Sequence, residues 1–293
     1  MIAGTEEQKQ KYLPGLAAGE LRAGFGLSEP QAGSDVMSMR TKAGPDGSGG
    51  WILNGTKCWM SGVVQADWYT VFAKTAEDVT SRRHDSISAF IVERGWDGVE
   101  VGATDRKMGV RGVDTGELLL HDVHVPQENL IGEIGGFQLA MQGLNSMRPI
   151  VAARGIGLAE GALMYAVEYL KERKMFGKTA ADMQGLQWEI AKLAVDIEAA
   201  RLLTYRAAWM ADRGEFTKEF VPYLSMAKYH ASELAVRASG MAVQMLGAAG
   251  YMKDHLTELY YRDARQLTIV EGTSQVQLGL IAKGVLEHHL WWD

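Results

Sequence analysis

Hydrophobic positions repeat with two different periods along this chain, and the change falls near residue 135. Before it, short alternating or β-branched runs are separated by turn signals such as Pro45-Asp46-Gly47 and Asn54-Gly55. These runs are Trp51–Leu53, Trp68–Phe72, Ile87–Val92, Glu117–Leu120 and Val123–Pro126, the pattern of strands joined by hairpins. They predict an antiparallel, β-barrel-like domain over residues 23–135, with a hairpin arm opened by Asn54-Gly55. Ahead of it, residues 5–19 read as a helix capped by Thr5. After residue 136 the period becomes helical. Phe220, Leu224, Ala227, Ala231, Leu234, Ala238, Met241 and Met245 form one stripe, Leu186, Ile190, Leu193, Ile197 and Ala200 a second, and Val151, Gly155, Leu158, Ala162, Tyr165 and Tyr169 a third. Long Ala-rich stripes predict a C-terminal up-and-down four-helix bundle over 136–293, with core packing for their Met and aromatic residues. The fold class expected is α+β.

Glycine follows the same division, with 20 of the 34 glycines and four of the six prolines in residues 1–135. The chain has 293 residues, 47% of them hydrophobic, enough for a substantial core. A formal charge of -6 leaves no basic surplus for a phosphate backbone, so nucleic acid is not an expected partner. A lone cysteine, Cys58, excludes an intramolecular disulfide and any multi-thiolate metal site. The amino terminus carries no signal or transit pattern, and the longest uncharged stretch, Ala238 to Met252, is short of a membrane span. A cytoplasmic, bacterial protein is expected.

Several cofactor signatures fail. Gly24-x-Gly26 and Gly155-x-Gly157 are followed by Glu29 and Glu160 where a dinucleotide fingerprint needs a third glycine. No Walker A sequence or nucleophile elbow occurs. His121 and His124, three apart in an expected strand, should face opposite sides of the sheet and share no metal. His288-His289 has no carboxylate at ligand spacing, and no metal site is expected.

Three segments remain. In Phe25-Gly-Leu-Ser-Glu-Pro-Gln-Ala-Gly-Ser-Asp35 a strand runs into a small-residue turn, offering amides and the hydroxyls of Ser28 and Ser34 to a polar ligand, or forming an ordinary loop. In Lys57-Cys-Trp-Met-Ser61 the tryptophan is either core or a platform for a flat aromatic cofactor. In Tyr261 to Gln277, Glu271 follows the apolar run Leu267 to Val270 and precedes Gly-Thr-Ser, which can cap the last helix at Thr273 or Ser274. A carboxylate there would be desolvated and its pKa raised into the range of a general base, or it would simply support the cap.

Taken with Met108-Gly-Val-Arg-Gly-Val-Asp-Thr-Gly-Glu-Leu118, Val123-His-Val-Pro126 and Arg173-Lys-Met-Phe-Gly177, these segments resemble the acyl-CoA dehydrogenase family over essentially the whole chain. The resemblance implies FAD held between the β-domain and the bundle. Phe25, Gly26, Leu27, Ser28 and Ser34 would line the flavin and the start of the acyl-CoA channel, with Trp59, Met60 and Ser61 beside the isoalloxazine. Arg173, Phe176 and Gln184 would reach the FAD of a neighbouring subunit. Gln244 and Gly247, with Thr273 and Gln275, would supply pyrophosphate and adenosine contacts, although Ala248-Ala249 replaces the glycine usual there. Glu271 would be the catalytic base that removes the α-proton as the β-hydrogen leaves as hydride to the flavin, giving a trans-2-enoyl-CoA. The other position used in relatives holds Asn145, Ser146 and Met147, none of them a base. Arg148 would support the site and its substrate.

Electron-transfer flavoprotein would accept the electrons, and the assembly would be a homo- or heterotetramer. The alternatives on the same scaffold are an oxidase or flavin monooxygenase, and a half-site or inactive subunit of a heteromeric enzyme. Ile150-Val-Ala-Ala-Arg154-Gly-Ile and Trp291-Trp292-Asp293 have a likeness to members acting on bulky or sterol-side-chain thioesters. In other members a helical domain of roughly a hundred residues precedes the Glu6-Glu7-Gln8-Lys9 segment. The expectation is therefore a fragment, a misplaced start or a shortened variant, in which residues 1–22 are the remnant of that domain.

Overall fold

A computed structural model describes residues 2–75, 84–214, 216–287 and 290. His288-His289 and Trp291-Trp292-Asp293 lie outside the described residues. Two compact units are present, one comprising Met1–Lys107 and Arg111–Gly143, the other Met108–Val110 and Leu144–Asp293.

The first unit opens on helix α1, Glu6–Ala18. Thr5 closes a capping box: its hydroxyl accepts from the Gln8 amide, and Gln8 Oε1 accepts from the Thr5 amide. The same Gln8 side chain donates from Nε2 to the carbonyls of Glu128 and Leu130, at 2.7 and 2.9 Å. Tyr12 and Lys11 both reach Glu93 Oε1, at 2.8 and 2.7 Å, so polar bonds as well as apolar contact seat the helix on the sheet.

Eight strands follow: β1 Ala23–Gly26, β2 Lys42–Pro45, β3 Trp51–Ser61, β4 Trp68–Lys74, β5 Ile87–Glu93, β6 Val99–Thr104, β7 Thr115–Val125 and β8 Leu130–Ile131. Their order is β6-β7-β3-β2-β4-β5-β8, with β1 beside β4. The pairings are antiparallel except that β1 and β2 meet β4 in parallel. Turn signals report only hairpins between successive strands, so these two non-local pairings left no mark in the local pattern. Leu53, Tyr69, Val71, Phe90, Leu118, Leu120 and Val123 fill the core of the unit.

Two local expectations are corrected. Asn54-Gly55 is not a turn; it lies inside β3, where the register against β7 shifts. The partner irregularity is at Asp122, whose φ is 49°, and Asn54 and Asp122 bond each other twice, at 2.9 and 3.0 Å. The extra residue breaks the alternation of β7. Leu118 and Leu120 before it, and Val123 and Val125 after it, all point inward, so His121 and His124 share the exposed face and do not oppose each other. No cluster of three or more metal-ligating side chains occurs among the described residues.

Gly98 shows how tightly this region is drawn. Its φ is +82°, and a Cβ there would sit 2.0 Å from the His121 carbonyl oxygen. Gly98→Ala is expected to destabilise the unit by about 1–3 kcal/mol, which a urea denaturation curve followed by tryptophan fluorescence would measure.

The second unit is helical. Helix α2, Phe137–Glu172, begins in the first unit and continues through it. A two-stranded hairpin follows, β9 Lys174–Met175 and β10 Lys178–Thr179. Helices α3 Gln184–Asp212, α4 Val221–Leu246, α5 Thr257–Leu267 and α6 Ser274–Leu286 complete it. The α3 and α4 stripes meet as expected, Leu193, Ile197 and Ala200 of α3 being buried with Leu224, Ala227, Ala231, Leu234 and Ala238 of α4, while the α2 stripe divides: Ala162 joins this core, and Val151 and Leu158 pack in a separate cluster with Ala235, Ala264 and Leu267. The missing side chain of Gly155 permits close approach: a Cβ there on α2 would lie 2.7 Å from the Ala231 carbonyl of α4. By length and composition alone α2 is apolar enough to cross a membrane, a property the stretch Ala238 to Met252 had not suggested. Its apolar residues Ala152, Ile156, Ala159, Ala162, Leu163, Ala166 and Leu170 are buried in the bundle core. The architecture is an α+β chain of a β-domain and a helical bundle.

Candidate active site

In the second unit, Glu271 sits in the short link between α5 and α6. Its backbone is left-handed, φ 55°, and Gly272 follows at φ 85°. A non-glycine residue held there carries strain that its surroundings must offset. Three bonds do so. Lys228 Nζ donates to the Gly272 carbonyl at 2.8 Å, and Gln277 Nε2 donates to the carbonyls of Gly272 and Glu271, at 3.1 and 3.3 Å. Thr273, not Ser274, is the N-cap of α6, its hydroxyl accepting from the Val276 amide at 3.3 Å. Ser274 instead donates its hydroxyl to Glu233, and its amide bonds the Thr268 carbonyl.

Burial pushes the Glu271 carboxyl above its ordinary pKa, against the opposing pull of Lys228, Arg154 and Arg148. Two of these cations are themselves desolvated. Lys228 is fully buried on α4, its pKa brought down to about 8 by burial, with Arg148 adding to the fall and Glu271 and Glu233 resisting it. Arg148, on α2 beside Pro149, is brought down to about 10 by burial against the attraction of Glu271. Its Nη1 donates to Ser225 Oγ at 3.1 Å, while its Nε is buried without a partner among the described residues. A half-buried carboxylate facing buried positive charge is chemically a proton acceptor with a tuned pKa. Asn145, Ser146 and Met147 lie on α2 beside Arg148 and offer no carboxylate.

The first unit presents a different surface. Trp59 is not core: it is 57% exposed, at φ 55°, where the register between β3 and β7 slips between Lys57 and Met60. The irregularity turns the indole outward while Cys58 and Met60 on either side stay buried. Met60 therefore offers only its backbone to that surface, and burial pushes the Cys58 thiol up to about 11. Phe25 is 44% exposed and packs its ring on Phe72, centroids 5.3 Å apart. Gly26 and Leu27 are buried, Ser28 is half-buried, and Ser34 and Ser61 are exposed. The Ser28 carbonyl accepts from the Cys58 amide at 3.0 Å, which ties the loop after β1 to the strand carrying Trp59. Exposed indole and phenyl rings with the Ser28, Ser34 and Ser61 hydroxyls on the same unit suit a flat, polar-edged aromatic ring, so the residues present fit a flavin.

That loop is held from beneath by a pair the sequence reading passed over. Lys57 Nζ meets Glu29 Oε1 at 2.7 Å, with both side chains almost wholly buried, and also donates to the Leu27 carbonyl at 3.3 Å. The amides of Arg40 and Thr41 and the Gln31 side chain complete the coordination of the carboxylate. Lys57 leaves only a faint signal in the sequence, a charge followed by Cys58, Trp59 and Met60 but preceded by Asn54, Gly55 and Thr56.

The remaining candidates lie on the helical unit without converging on Glu271. Phe176 is 89% exposed at the tip of the β9–β10 hairpin, φ 50°, with Gly177 at 75°, the two left-handed residues of a tight hairpin. Arg173, Gln184, Gln244, Gly247 and Gln275 are exposed. At Gly247, φ 64°, a Cβ would meet nothing within 4 Å, while the amide donates to the Gln244 carbonyl.

Sequence comparisons place both units. Residues 24–123 match the acyl-CoA dehydrogenase middle domain and residues 135–286 the acyl-CoA dehydrogenase C-terminal domain. An acyl-CoA dehydrogenase of Bacillus subtilis is 45% identical over 285 residues, covering 97% of this chain and 73% of the relative. The butyryl-CoA dehydrogenase structure of Megasphaera elsdenii superposes with a TM-score of 0.92 at 40% identity, over 97% of this chain and 73% of the other. An FAD complex of PigA superposes with a TM-score of 0.90 at 30% identity, over 98% and 73%. With both of its domains matched and 45% identity to such a relative, the chain belongs to the acyl-CoA dehydrogenase family.

Proposed function

We propose that this chain is an FAD-dependent acyl-CoA dehydrogenase, in which Glu271 removes the α-proton of an acyl-CoA thioester and the product is the trans-2-enoyl-CoA. The observation that carries the reading is Glu271 itself: a half-buried carboxylate in a strained left-handed turn, its pKa raised by burial, with cations behind it. Burial raises its proton affinity, while Arg148 and Lys228 keep enough of it ionised to accept a proton. FAD supplies the hydride acceptor when bound. Phe25, Ser28, Trp59 and Ser61 would hold the flavin ring, with Gly26, Leu27 and the Met60 backbone framing it, and Ser34 would meet the flavin or the thioester. Arg148 would support the base and the substrate bound beside it.

Gln244, Gly247, Thr273 and Gln275 would serve the pyrophosphate and adenosine. Arg173, Phe176 and Gln184 would contact the FAD of a neighbouring copy in a tetramer, a role in keeping with a phenyl ring 89% exposed at a hairpin tip. Residues 23–135 and 136–293 would act as the flavin-facing and base-bearing domains. Electrons would pass to an electron-transfer flavoprotein, in a bacterial cytoplasm. The proposed substrate is a bulky or sterol-side-chain acyl group.

The test is anaerobic mixing of the FAD-loaded protein with a panel of acyl-CoA thioesters, short, branched, aromatic and steroidal. Bleaching of the flavin band with enoyl-CoA formation is expected. Rapid hydrogen peroxide production in air would instead identify an oxidase. A separate expectation concerns Phe176→Ala: with the ring so exposed, the unfolding free energy should stay within about 0.5 kcal/mol of wild type in a urea titration. FAD retention on gel filtration should fall.

A further inference from the structure

Lys228 is a lysine where the α4 pattern calls for an apolar residue, four positions after Leu224 and three before Ala231. Its side chain is fully buried, and burying an ammonium is costly unless it is matched by hydrogen bonds and opposite charge. The matching groups all belong to the Glu271 turn and its surroundings. Its Nζ donates to the Gly272 carbonyl at 2.8 Å, one peptide beyond Glu271, and its charge acts on Glu271 and on Glu233. From α2, Arg148 and Arg154 also bear on Glu271, and Arg148 opposes Lys228. From α6, Gln277 binds the same carbonyl as Lys228 but carries no charge.

We propose that Lys228 is the positioning residue of Glu271: its buried ammonium fastens the Gly272 carbonyl, fixing the left-handed turn, and sets a positive charge beside the carboxylate. The two contributions are separable in principle. Gln277 shares the fastening, whereas only Lys228 combines it with charge. The inference rests on the reading of Glu271 as the base, but the geometry it explains does not require turnover.

The experiment is a carbon-13 titration of side-chain carboxyls in glutamate-labelled protein, with Glu271→Gln used to assign the Glu271 signal. In Lys228→Met the Glu271 midpoint should rise by about 1 pH unit, and the acidic limb of kcat/KM against pH should move with it. Lys228→Arg should bring the midpoint back most of the way, and Gln277→Leu should leave it within a few tenths of a unit. If Lys228→Met does not fold, Lys228→Gln keeps a donor near the carbonyl without the charge and should show the same rise. A variant that melts earlier while the Glu271 midpoint stays put overturns the proposal, because Lys228 then only fills space. Full dehydrogenation by Glu271→Gln would overturn the base assignment instead, and the titration would still report on Lys228.

Discussion

Glu271→Gln is expected to abolish flavin reduction by acyl-CoA almost completely while FAD binding survives. The substitution keeps the volume and the neutral form of the side chain and removes only its capacity to take a proton. General-base contributions run to about 10²–10⁴-fold, and a substrate proton this weakly acidic leaves water a poor substitute, so the upper part of that range is expected. Stopped-flow bleaching of the flavin band measures the loss directly, and the unchanged band before mixing shows that the site is still loaded. The same variant should be more stable than wild type near neutrality. The folded-state pKa of Glu271 lies above its ordinary value of 4.5, so the folded protein favours the protonated carboxyl. Its contribution to stability is complete below the unfolded-state pKa and is lost as pH rises through the folded pKa. Glutamine never ionises and escapes that loss. Urea unfolding at pH 7 and pH 4 should show a stability gain for the variant at the higher pH and little difference at the lower. A variant that loses activity but is destabilised at pH 7 would point to a bonding role for the carboxylate in place of a desolvated one.

The helical stripes were legible because a core helix writes its burial into every third or fourth residue, and Leu193, Ile197, Leu224, Ala231 and Ala238 all lie where the period puts them. Capping was legible for the same local reason, in Thr5 with Gln8 and in the Gly-Thr-Ser turn before α6. What escaped was non-local. Asn54-Gly55 has the composition of a turn, yet pairing with β7 across 68 positions converts it to an irregularity inside a strand. That irregularity in turn places His121 and His124 on one face, which no alternation count can foresee. Of the cations acting on Glu271, Arg148 came with the family resemblance, whereas Lys228 escaped although it left a trace as a charge among alanines. The stripe through Ala227 and Ala231 ran past it because α4 is buried on more than one side. Trp59 illustrates the opposite case: composition left core and platform equally open, and only the slipped register turns the indole outward.

The second large effect is expected at the Lys57–Glu29 pair. Lys57→Met leaves the Glu29 carboxylate buried with amide donors but no cation, and Glu29→Gln leaves a buried ammonium facing a neutral amide. Losing one partner of a buried pair costs about 3–5 kcal/mol, a large share of the stability of a domain this size. Replacing both, as Glu29→Leu with Lys57→Met, should recover part of that cost, since no charge then remains desolvated. The Arg40 and Thr41 amides would still lose their acceptor. The pH dependence follows from Glu29. Burial alone would raise its pKa, but the charge and hydrogen bond of Lys57, with the Thr41 and Arg40 bonds, outweigh burial and hold it below 4.5. Stability from the pair is therefore present above the unfolded-state glutamate pKa and is lost as pH falls through the lower folded value. Wild type should lose stability across that acidic window and Glu29→Gln should be flatter there. Calorimetry at pH 3, 5 and 7 compares them. Lys57→Met, alone or with Glu29→Leu, should also release FAD more readily than wild type. The pair pins the Leu27 carbonyl to β3, and with it the loop whose Ser28 carbonyl bonds Cys58, next to Trp59. Were the single variants to keep wild-type stability, water or a rearranged loop would have to reach a lysine with 0% side-chain exposure, and the flavin-facing loop would then be held by its backbone bonds alone.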